Sequence, residues 1–398
     1  MKINNLILEK NFQLNHLFLK IILFLSFVII SINFYEWVLE KSYYEYSDWL
    51  INYQGGFTRR GLFGEILYLI HKITFIRLDL LLFTLVILMY FLFFFFLHKI
   101  LIKTNLNFLN SLILFSPLSF IYLASSKTLA GRKEILLFFL VTIFFYKLKN
   151  IKFENIKYWI IAILLFSSLT HFGFIFYMPF LILFFIFLNS KKNFNELFAQ
   201  VVPIIIIGGA IILMVVYSTF FLKPDLIAIC ESIKDYTIDC PEKTYVGFLD
   251  NSLAQVGQIN LNFFNNNYFI KYPIYFIISF APLFFALKNL RDTKDFKRKN
   301  LIALLFVCSF FTFPVFFLGA DYGRYLNWIY LFCLLIYLHV INFNILKANN
   351  KNNFFNFKVY KSLLYLAIFL YGFLWSVPHC CDKNYSILLD KVFNQLFF

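Results

Sequence analysis

The amino-acid sequence predicts an all-α protein that crosses a membrane many times. Of its 398 residues, 61% are hydrophobic and only 14% are charged, which is too apolar a balance for a soluble chain. The apolar residues fall in continuous runs, whereas strands of a membrane β-barrel alternate between apolar and polar residues. We therefore expect one polytopic membrane domain over residues 1–398, built from transmembrane helices.

Eleven apolar runs are long enough, or nearly long enough, to cross a bilayer, which takes about 20 helical residues. They lie at 17–38, 77–98, 108–124, 134–147, 158–170, 173–189, 197–222, 272–288, 301–318, 325–343 and 362–377. The runs at 134–147 and 158–170 are short, so we expect them to be tilted, broken or extended by flanking residues. The sequence thus predicts about eleven spans, give or take one or two.

The net charge of +15 would suggest nucleic acid in a soluble protein, but here it serves as a topology signal. Lys2, Lys10 and Lys20 precede the first run, and no small-residue cleavage site follows it. This pattern predicts a retained signal anchor with the N-terminus in the cytoplasm. Alternation from there places 21 of the 36 Lys and Arg on the cytoplasmic side and 16 of the 21 acids outside, as the positive-inside rule requires. We expect an external C-terminus and no nucleic-acid partner.

The external segment 39–76 holds the densest set of candidate binding residues. Gly55 and Gly56 allow the backbone to approach a ligand closely, and the following Arg59 and Arg60 can hold a phosphate or carboxylate. From Arg59 onward the apolar residues recur at helical spacing, which predicts an amphipathic helix on the outer membrane surface. The alternative is a membrane anchor whose arginines reach lipid headgroups.

Three further external sites lie at predicted helix ends. Arg132 and Lys133 lead through Glu134 into an inward-running helix, whose free N–H groups favour an anion; local pairing with Glu134 is the alternative. Asp321 and Arg324 lie at the start of another such helix, where Arg324 can bind a phosphate. Alternatively, the two residues, three positions apart, simply pair with each other.

His171 lies between two closely spaced runs, either as a packed, hydrogen-bonded ring or as a catalytic base. By the alternation of the spans, all four external sites lie at the same outer boundary. A single binding site at that boundary is therefore the prediction.

Arginine usage also points to the outer face. The chain has seven Arg against 29 Lys, so lysine supplies charge wherever a plain cation suffices. Five of the seven lie in predicted external segments: Arg59, Arg60, Arg77, Arg132 and Arg324. Because lysine cannot replace the planar guanidinium fork, this asymmetry indicates anionic ligands outside.

The longest external segment, 223–271, carries six acids and no arginine. It suits either a solvated face or a lid over the site. Cys230 and Cys240 can close a small loop within it in an oxidising compartment, and the spacing leaves the bond open.

Two patterns resemble known families. Glu45 and Asp48, just after the first run and followed by an amphipathic helix, resemble the catalytic acidic position of the GT-C class of membrane glycosyltransferases. The pattern of motifs over the whole chain looks like that of polymerase-like membrane proteins of bacterial surface-polysaccharide (O-antigen and capsule) clusters. The motifs are Asp-Trp…Asn-Tyr-x-Gly-Gly-Phe-x-Arg-Arg-Gly-Leu-x-Gly-Glu, Gly-Arg-Lys-Glu, an isolated His and Asp-x-Gly-Arg-Tyr. About 35 residues spread over most of the chain carry the resemblance. The long external loop of those polymerases is typically richer in Arg than 223–271 is.

The resemblance implies a GT-C-like or polysaccharide-polymerase-like bundle of about eleven helices in a bacterial cytoplasmic membrane. Nucleotide sugars are absent outside that membrane, so the donor would be a polyprenyl-linked saccharide on undecaprenyl phosphate or pyrophosphate. The base would be Asp48, with His171 or Asp321 as alternatives. The substrate-binding residues would be Glu45, Gly55, Gly56, Arg59, Arg60, Arg132, Lys133, Glu134 and Arg324. No cofactor is required by the sequence, and a divalent metal is left open.

Three other functions are alternatives to glycosyl transfer by a polymerase-like protein. A GT-C-type single-sugar transferase would use the same residues. A lipid-linked oligosaccharide flippase or other transporter would carry polar residues deep in several spans, whereas these runs are mostly Phe, Leu and Ile. A membrane acyltransferase would centre on His171. Polysaccharide-assembly proteins are candidate partners, beside the lipid bilayer itself.

Overall fold

The computed structural model describes residues 14–41, 45–221, 223–242, 244–250, 258, 269–319, 321–348 and 361–379. Helices make up most of the described chain, which confirms the all-α class. Its α-helices are, in chain order, α1 (His16–Leu39), α2 (Glu45–Leu50), α3 (Leu62–Thr74), α4 (Leu78–Leu101), α5 (Phe108–Leu114), α6 (Ile121–Ala124), α7 (Lys127–Ala130), α8 (Glu134–Lys147), α9 (Phe153–Thr170), α10 (Met178–Leu188), α11 (Phe194–Phe221), α12 (Leu226–Ser232), α13 (Phe269–Lys288), α14 (Arg298–Phe311), α15 (Phe313–Leu318), α16 (Tyr322–Asn342) and α17 (Lys361–Phe373).

Short 3-10 helices follow at Leu148–Asn150, Phe172–Tyr177 and Tyr245–Asp250. Two strands of two residues each, β1 (Leu290–Arg291) and β2 (Lys347–Ala348), form one antiparallel pair.

In the described residues, six helical stretches are long and apolar enough to cross a membrane. These are α1, α4, Phe194–Ser218 of α11, Ile270–Lys288 of α13, Arg298–Phe317 across α14 and α15, and α16. The stretches Phe172–Leu188 and Ser362–Phe373 are apolar but shorter. The predicted count of about eleven spans is therefore not confirmed, although a membrane protein with several helical spans is consistent with these lengths.

The run at 108–124 is not one helix. It forms α5 and α6, separated by a turn that contains Ser116 and Pro117. Proline lacks the N–H of a helical hydrogen bond, and its ring disfavours helical geometry in the preceding residue. The expectation of one continuous helix here was wrong, because hydropathy alone ignores this break.

The helix α16 forms the centre of the bundle. Every residue from Tyr322 to Val340 is buried, whereas α1 and α11 leave large apolar side chains such as Phe24 and Leu213 exposed. A helix that is buried on all sides belongs inside a bundle, while exposed apolar faces suit contact with lipid. The outer helices therefore supply the lipid-compatible surface, and α16 supplies the core.

Links between helices gather at two ends of the bundle. At one, the connector end, the Thr104 hydroxyl donates to Asn342 Oδ1 at 3.0 Å, and Leu290 pairs with Ala348. At the other, the site end, Arg324 in the first turn of α16 bonds to Glu134 at the start of α8. The 21 residues of α16 separate the ends by roughly 30 Å at 1.5 Å per residue.

The helix α3 holds the residues just before it in place. Its Glu65 accepts hydrogen bonds from the Tyr53 N–H at 2.8 Å and from the Gln54 side chain at 2.9 Å. Gly64 packs so closely on the preceding segment that a Cβ there would overlap the Ile51 carbonyl oxygen. The predicted amphipathic segment thus contains a helix, with Gly64 and Leu67 on its buried side.

Gly64→Ala should lower the stability of the protein, because the added methyl group has no room beside the Ile51 backbone. We expect a loss of about 1–3 kcal/mol, as for other overpacked sites. Gly209→Ala in α11 is the matched control: a Cβ there meets nothing within 4 Å, so the better helix propensity of alanine should leave stability equal or slightly higher. Thermal unfolding in detergent measures both, and equal midpoints for the two variants would contradict the packing argument.

Candidate functional site

Charged side chains from separate segments meet at the site end and are mostly buried there. We call this set the ionic cluster. Its members are Glu45, Asp48, Arg60, Arg132, Lys133, Glu134, Asp321 and Arg324, together with His379. All eight charged members were candidates from the sequence, and the structure brings them together.

Asp48 is the centre of one half of the ionic cluster. Its carboxylate lies 3.2 Å from Arg60 Nη1 and 3.3 Å from Lys133 Nζ, and only 3% of the residue is exposed. The Lys133 ammonium also donates to the Arg60 carbonyl at 3.0 Å and reaches the Thr170 carbonyl at 3.5 Å. All three of its N–H donors are thereby used, so Lys133 joins three segments of the chain.

Arg324 is the centre of the other half. Its Nε donates to Glu134 Oε1 at 2.6 Å, its Nη2 bonds to the same oxygen, and its Nη1 bonds to Asp321. Arg324 therefore pairs both with its neighbour three residues away and with the start of α8. Local pairing of Glu134 was the alternative interpretation of this sequence, and in the structure Glu134 instead bonds to the distant Arg324.

Arg132 links Glu45 to the C-terminal region. Its Nη2 lies 3.2 Å from Glu45 Oε1 and 3.2 Å from His379 Nε2, and His379 in turn lies 3.7 Å from Asp321. The Tyr272 hydroxyl donates to the His379 carbonyl at 2.6 Å, which fixes the backbone there. Sequence reasoning missed His379, because it is a single histidine in a tail without a surrounding motif.

Aromatic side chains position the segment before Arg132. The short helix α7 ends at Ala130, leaving carbonyls that its own N–H groups cannot reach. Three aromatic side chains donate to carbonyls here. The Trp37 indole donates to the Lys127 carbonyl at 2.6 Å. The Tyr90 hydroxyl donates to the Ala130 carbonyl at 2.9 Å, and the Trp49 indole donates to the Gly131 carbonyl at 2.7 Å. These three bonds hold the chain so that Arg132, Lys133 and Glu134 enter the ionic cluster in sequence.

Burial and neighbouring charges together set the pKa values in the ionic cluster. Burial raises the pKa of Asp48, but Lys133, Arg60 and Arg132 outweigh it and hold that pKa below its usual value. Burial also raises the pKa of Asp321, but the positive charges of Arg324 and Arg132 outweigh it. Burial lowers the pKa of Lys133 to about 8, although Asp48 opposes the shift. Asp48 and Asp321 are therefore ionised at neutral pH.

The two histidines near the ionic cluster are neutral at pH 7. Burial lowers the pKa of His379 to about 3, against the attraction of Asp321. Burial, with Arg60 and Arg324, also places the pKa of His171 well below its usual value. The His171 ring stacks on Phe174 with centroids 4.8 Å apart, and its Nδ1 accepts the Gly173 N–H at 3.2 Å. His171 is thus a packed, hydrogen-bonded ring beside the cluster.

Arg59 differs from the other candidate cations. The cluster pairs four acids with four bases, whereas no carboxylate in the described residues lies within ion-pair distance of Arg59 and no described group accepts a hydrogen bond from it. The side chain is half-buried, and burial and Arg60 lower its pKa. Arg59 therefore has donors available to an anion and no carboxylate to release first.

The segment 223–250 packs against this region. The Tyr245 ring lies 4.5 Å from the Arg60 guanidinium, and the Tyr245 N–H donates to Ser47 Oγ at 2.9 Å. Cys230 and Cys240 form a disulfide within the segment, which resolves the pairing that the sequence left open. Residues 251–257 and 259–268 of the predicted long loop lie outside the described part of the chain.

Gly55 and Gly56 serve the backbone itself. The Gly55 carbonyl accepts the Asp225 N–H at 2.8 Å, and a Cβ on Gly55 would overlap the Asp225 carbonyl oxygen. Gly56 has φ of 102°, a conformation that favours glycine. The pair therefore makes a turn and a close contact with the segment 223–250, where the sequence suggested close approach to a ligand.

No group of three or more His, Cys, Asp or Glu side chains in the described ranges is arranged to hold a metal ion. Comparisons with protein families, curated proteins and solved structures find no match to this chain.

Arg324→Ala should destabilise the protein strongly, since it leaves Glu134 as a buried charge without its partner. The expected loss is about 3–5 kcal/mol in unfolding free energy. Arg77→Ala removes the same side-chain type from the Arg77–Asp79 pair, in which Arg77 is 76% exposed, and should change stability little. Denaturant or thermal unfolding in detergent compares the two, and a small effect of Arg324→Ala would show that the ion pairs do not hold the segments together.

Stability should fall as the pH drops below about 6.5, the ordinary pKa of histidine. Burial lowers the pKa of His379 to about 3 in the folded protein. Between pH 6.5 and 3 the unfolded chain therefore binds a proton that the folded protein does not bind. The stability that is present above pH 6.5 is lost as the pH falls toward 3. The slope is at most about 1.4 kcal/mol per pH unit for one group. Asp48 and Asp321, whose pKa values are also lowered, add to this loss only below about pH 4.

His379→Gln should make the unfolding midpoint depend less on pH between 6.5 and 4.5, with the other buried histidines supplying the remaining pH dependence. His16→Gln is the control, because His16 is exposed on α1. The same pH slope in wild-type protein and in His379→Gln would contradict the assignment of His379 as a buried neutral group.

Proposed function

We propose that this protein transfers a glycosyl group at the outer face of the bacterial cytoplasmic membrane, from a polyprenyl-(pyro)phosphate-linked sugar or oligosaccharide, in surface-polysaccharide assembly. One observation carries the proposal: the acid and the cations that the sequence suggested as base and phosphate ligands lie together in the ionic cluster, with Arg59 beside it unpaired in the described residues. Transfer of a single sugar by a GT-C-like enzyme would use the same arrangement.

The lipid-linked phosphate would enter at Arg59. A half-buried guanidinium without a carboxylate partner offers planar donors to a phosphate. Arg60 is the next residue, and it and Lys133 both bond to Asp48. A phosphate held by Arg59 would compete with Asp48 for these two cations and would place the leaving-group charge among them.

The same exchange would make Asp48 a usable base. While Arg60 and Lys133 hold its pKa low, Asp48 accepts a proton poorly; a bound phosphate that takes over these cations raises that pKa. The acceptor hydroxyl then attacks the anomeric carbon and its proton passes to Asp48, while the bond to the phosphate oxygen breaks and polyprenyl (pyro)phosphate leaves. Asp321 and His171 are weaker alternatives, because Asp321 is held by Arg324 and the His171 Nδ1 is occupied.

The positions of the links support a bundle that alternates between the two membrane faces. The predicted cytoplasmic links contact one another at the connector end, where Lys191 pairs with Asp295 and the Thr293 hydroxyl bonds to the Ile345 carbonyl. The ionic cluster lies at the opposite end of α16. We therefore retain in the proposal about eleven crossings, a cytoplasmic N-terminus, and a GT-C-like or polymerase-like bundle.

The placement of buried charge favours transfer over transport. The Asp, Glu, Lys and Arg residues that are buried in the described chain are Glu45, Asp48, Lys133, Glu134 and Arg324. All of them belong to the ionic cluster at one end. A transport path would need charged groups at several depths along the spans.

Asp48→Asn should lower the transfer rate by about two to four orders of magnitude, the range expected on loss of a general base. Arg59→Ala should lower it about a hundredfold through lost charge stabilisation, and its folding should be unaffected because no ion pair is broken. The measurement is incorporation of isotopically labelled sugar from a polyprenyl-linked donor by protein in liposomes, with product chain length read in parallel.

Arg77→Ala is the control for the loss of an external arginine, and unfolding midpoints separate lost activity from lost folding. Normal rate and normal chain length in both folded Asp48→Asn and folded Arg59→Ala would reject the proposed site.

A further inference from the structure

A cavity lies at the connector end, roughly 30 Å along α16 from the ionic cluster. It has a volume of about 410 Å³, which is large enough for a small polar group. It is formed where α8 ends, α9 begins, and α10 and α16 end. The lining residues that bear on its chemistry are Lys149, Phe153, Ile156, His339 and Asn344.

Lys149 is a cation without an acidic partner in the described chain. Its ammonium lies 5.1 Å from the centre of the Phe343 ring, and no described carboxylate is within ion-pair distance of it. Lys191 and Lys192 at this end pair with Asp295 and Glu196. Lys147 and Lys149 are both exposed, and of these two only Lys149 lines the cavity. The cavity therefore carries positive charge that a ligand can use.

His339 adds a buried polar ring to the same wall. Only 6% of the residue is exposed, and its ring lies against Phe343 with centroids 4.6 Å apart. Phe153 and Ile156 add apolar side chains to the lining. The cavity thus combines hydrogen-bonding groups and a cation with an apolar side, as a ligand with a charged head and a hydrocarbon tail requires.

Two exposed aromatic residues place this cavity at the depth of lipid headgroups. Tyr158 and Trp159 on α9 are 61% and 37% exposed, and tyrosine and tryptophan concentrate at the boundary between hydrocarbon and water. Phe153 lies six residues before Trp159 in the same helix, about 9 Å at 1.5 Å per residue. That distance is comparable to the thickness of the headgroup layer.

We propose that this cavity binds the phosphate headgroup of an anionic phospholipid, with Lys149 as its cation and with an acyl chain against Phe153 and Ile156. Basic pockets between helices on the cytoplasmic side of a membrane bind such headgroups. The inference does not depend on glycosyl transfer, since the cavity and the ionic cluster share no residue.

The test is native mass spectrometry of the full chain extracted in detergent and supplied with phosphatidylglycerol or phosphatidylcholine. Wild-type protein should retain phosphatidylglycerol and lose phosphatidylcholine, because only the first lipid has a net negative charge. Lys149→Glu should retain phosphatidylglycerol roughly tenfold less, since the change replaces an attractive charge with a repulsive one.

Lys147→Glu is the matched control. It makes the same charge change two residues away, at an exposed side chain that does not line the cavity, and it should retain the lipid as wild type does. Equal loss of phosphatidylglycerol from both variants would mean that surface charge alone causes the effect, and it would overturn the proposal. Full retention of phosphatidylglycerol by Lys149→Glu would also overturn it. A parallel arm adds inorganic phosphate: displacement of the lipid by an equal concentration would assign the cavity to soluble phosphate esters, and continued lipid binding supports the phospholipid.

Discussion

The arrangement of the site end depends on the ion pairs of Arg324 in an otherwise apolar bundle. This side chain bonds to Glu134 at the start of α8 and to Asp321 just before α16. Moving such charges out of water costs several kcal/mol per ion, and their attraction offsets this only with good geometry and further hydrogen bonds. Arginine suits the position because its fixed fork can meet two carboxylates at once, so the ends of two helices are fixed relative to each other.

From this pair, the remaining contacts extend through consecutive residues. Arg132, Lys133 and Glu134 direct their charges to three separate partners, Glu45, Asp48 and Arg324. The segment that contains Glu45 and Asp48, the central helix and the region around His379 therefore share one network. Replacing buried ionic groups with apolar side chains is often neutral or stabilising, so stability alone does not explain their presence. Their retention in so apolar a chain is consistent with a site that handles charge.

Composition and periodicity predicted the part of the structure that depends on local sequence. The all-α class and the long helices follow from continuous apolar runs, and the candidate residues at Asp48, Arg132 and Arg324 follow from charge in segments that the runs leave outside. The ends of the helices were predicted less well. Hydropathy treats residues 108–124 as one run, but the turn at Pro117 divides that run into two helices. Gly55 illustrates another limit: the sequence shows a flexible pair, but only the fold shows that the Asp225 backbone occupies the space.

Partner choice was the least predictable feature, because pairs in the folded chain join residues far apart in sequence. Glu134 has a cation on its immediate N-terminal side and yet bonds to Arg324, 190 residues away. His379 enters the network only because Tyr272 fixes its backbone. A network in which acids and bases balance within the described residues also has no spare charge except at Arg59. In the proposed reaction, an anion held by Arg59 also attracts Arg60 and Lys133, so the carboxylate with which it competes is Asp48. Under that proposal, binding of the ligand and release of the base are coupled.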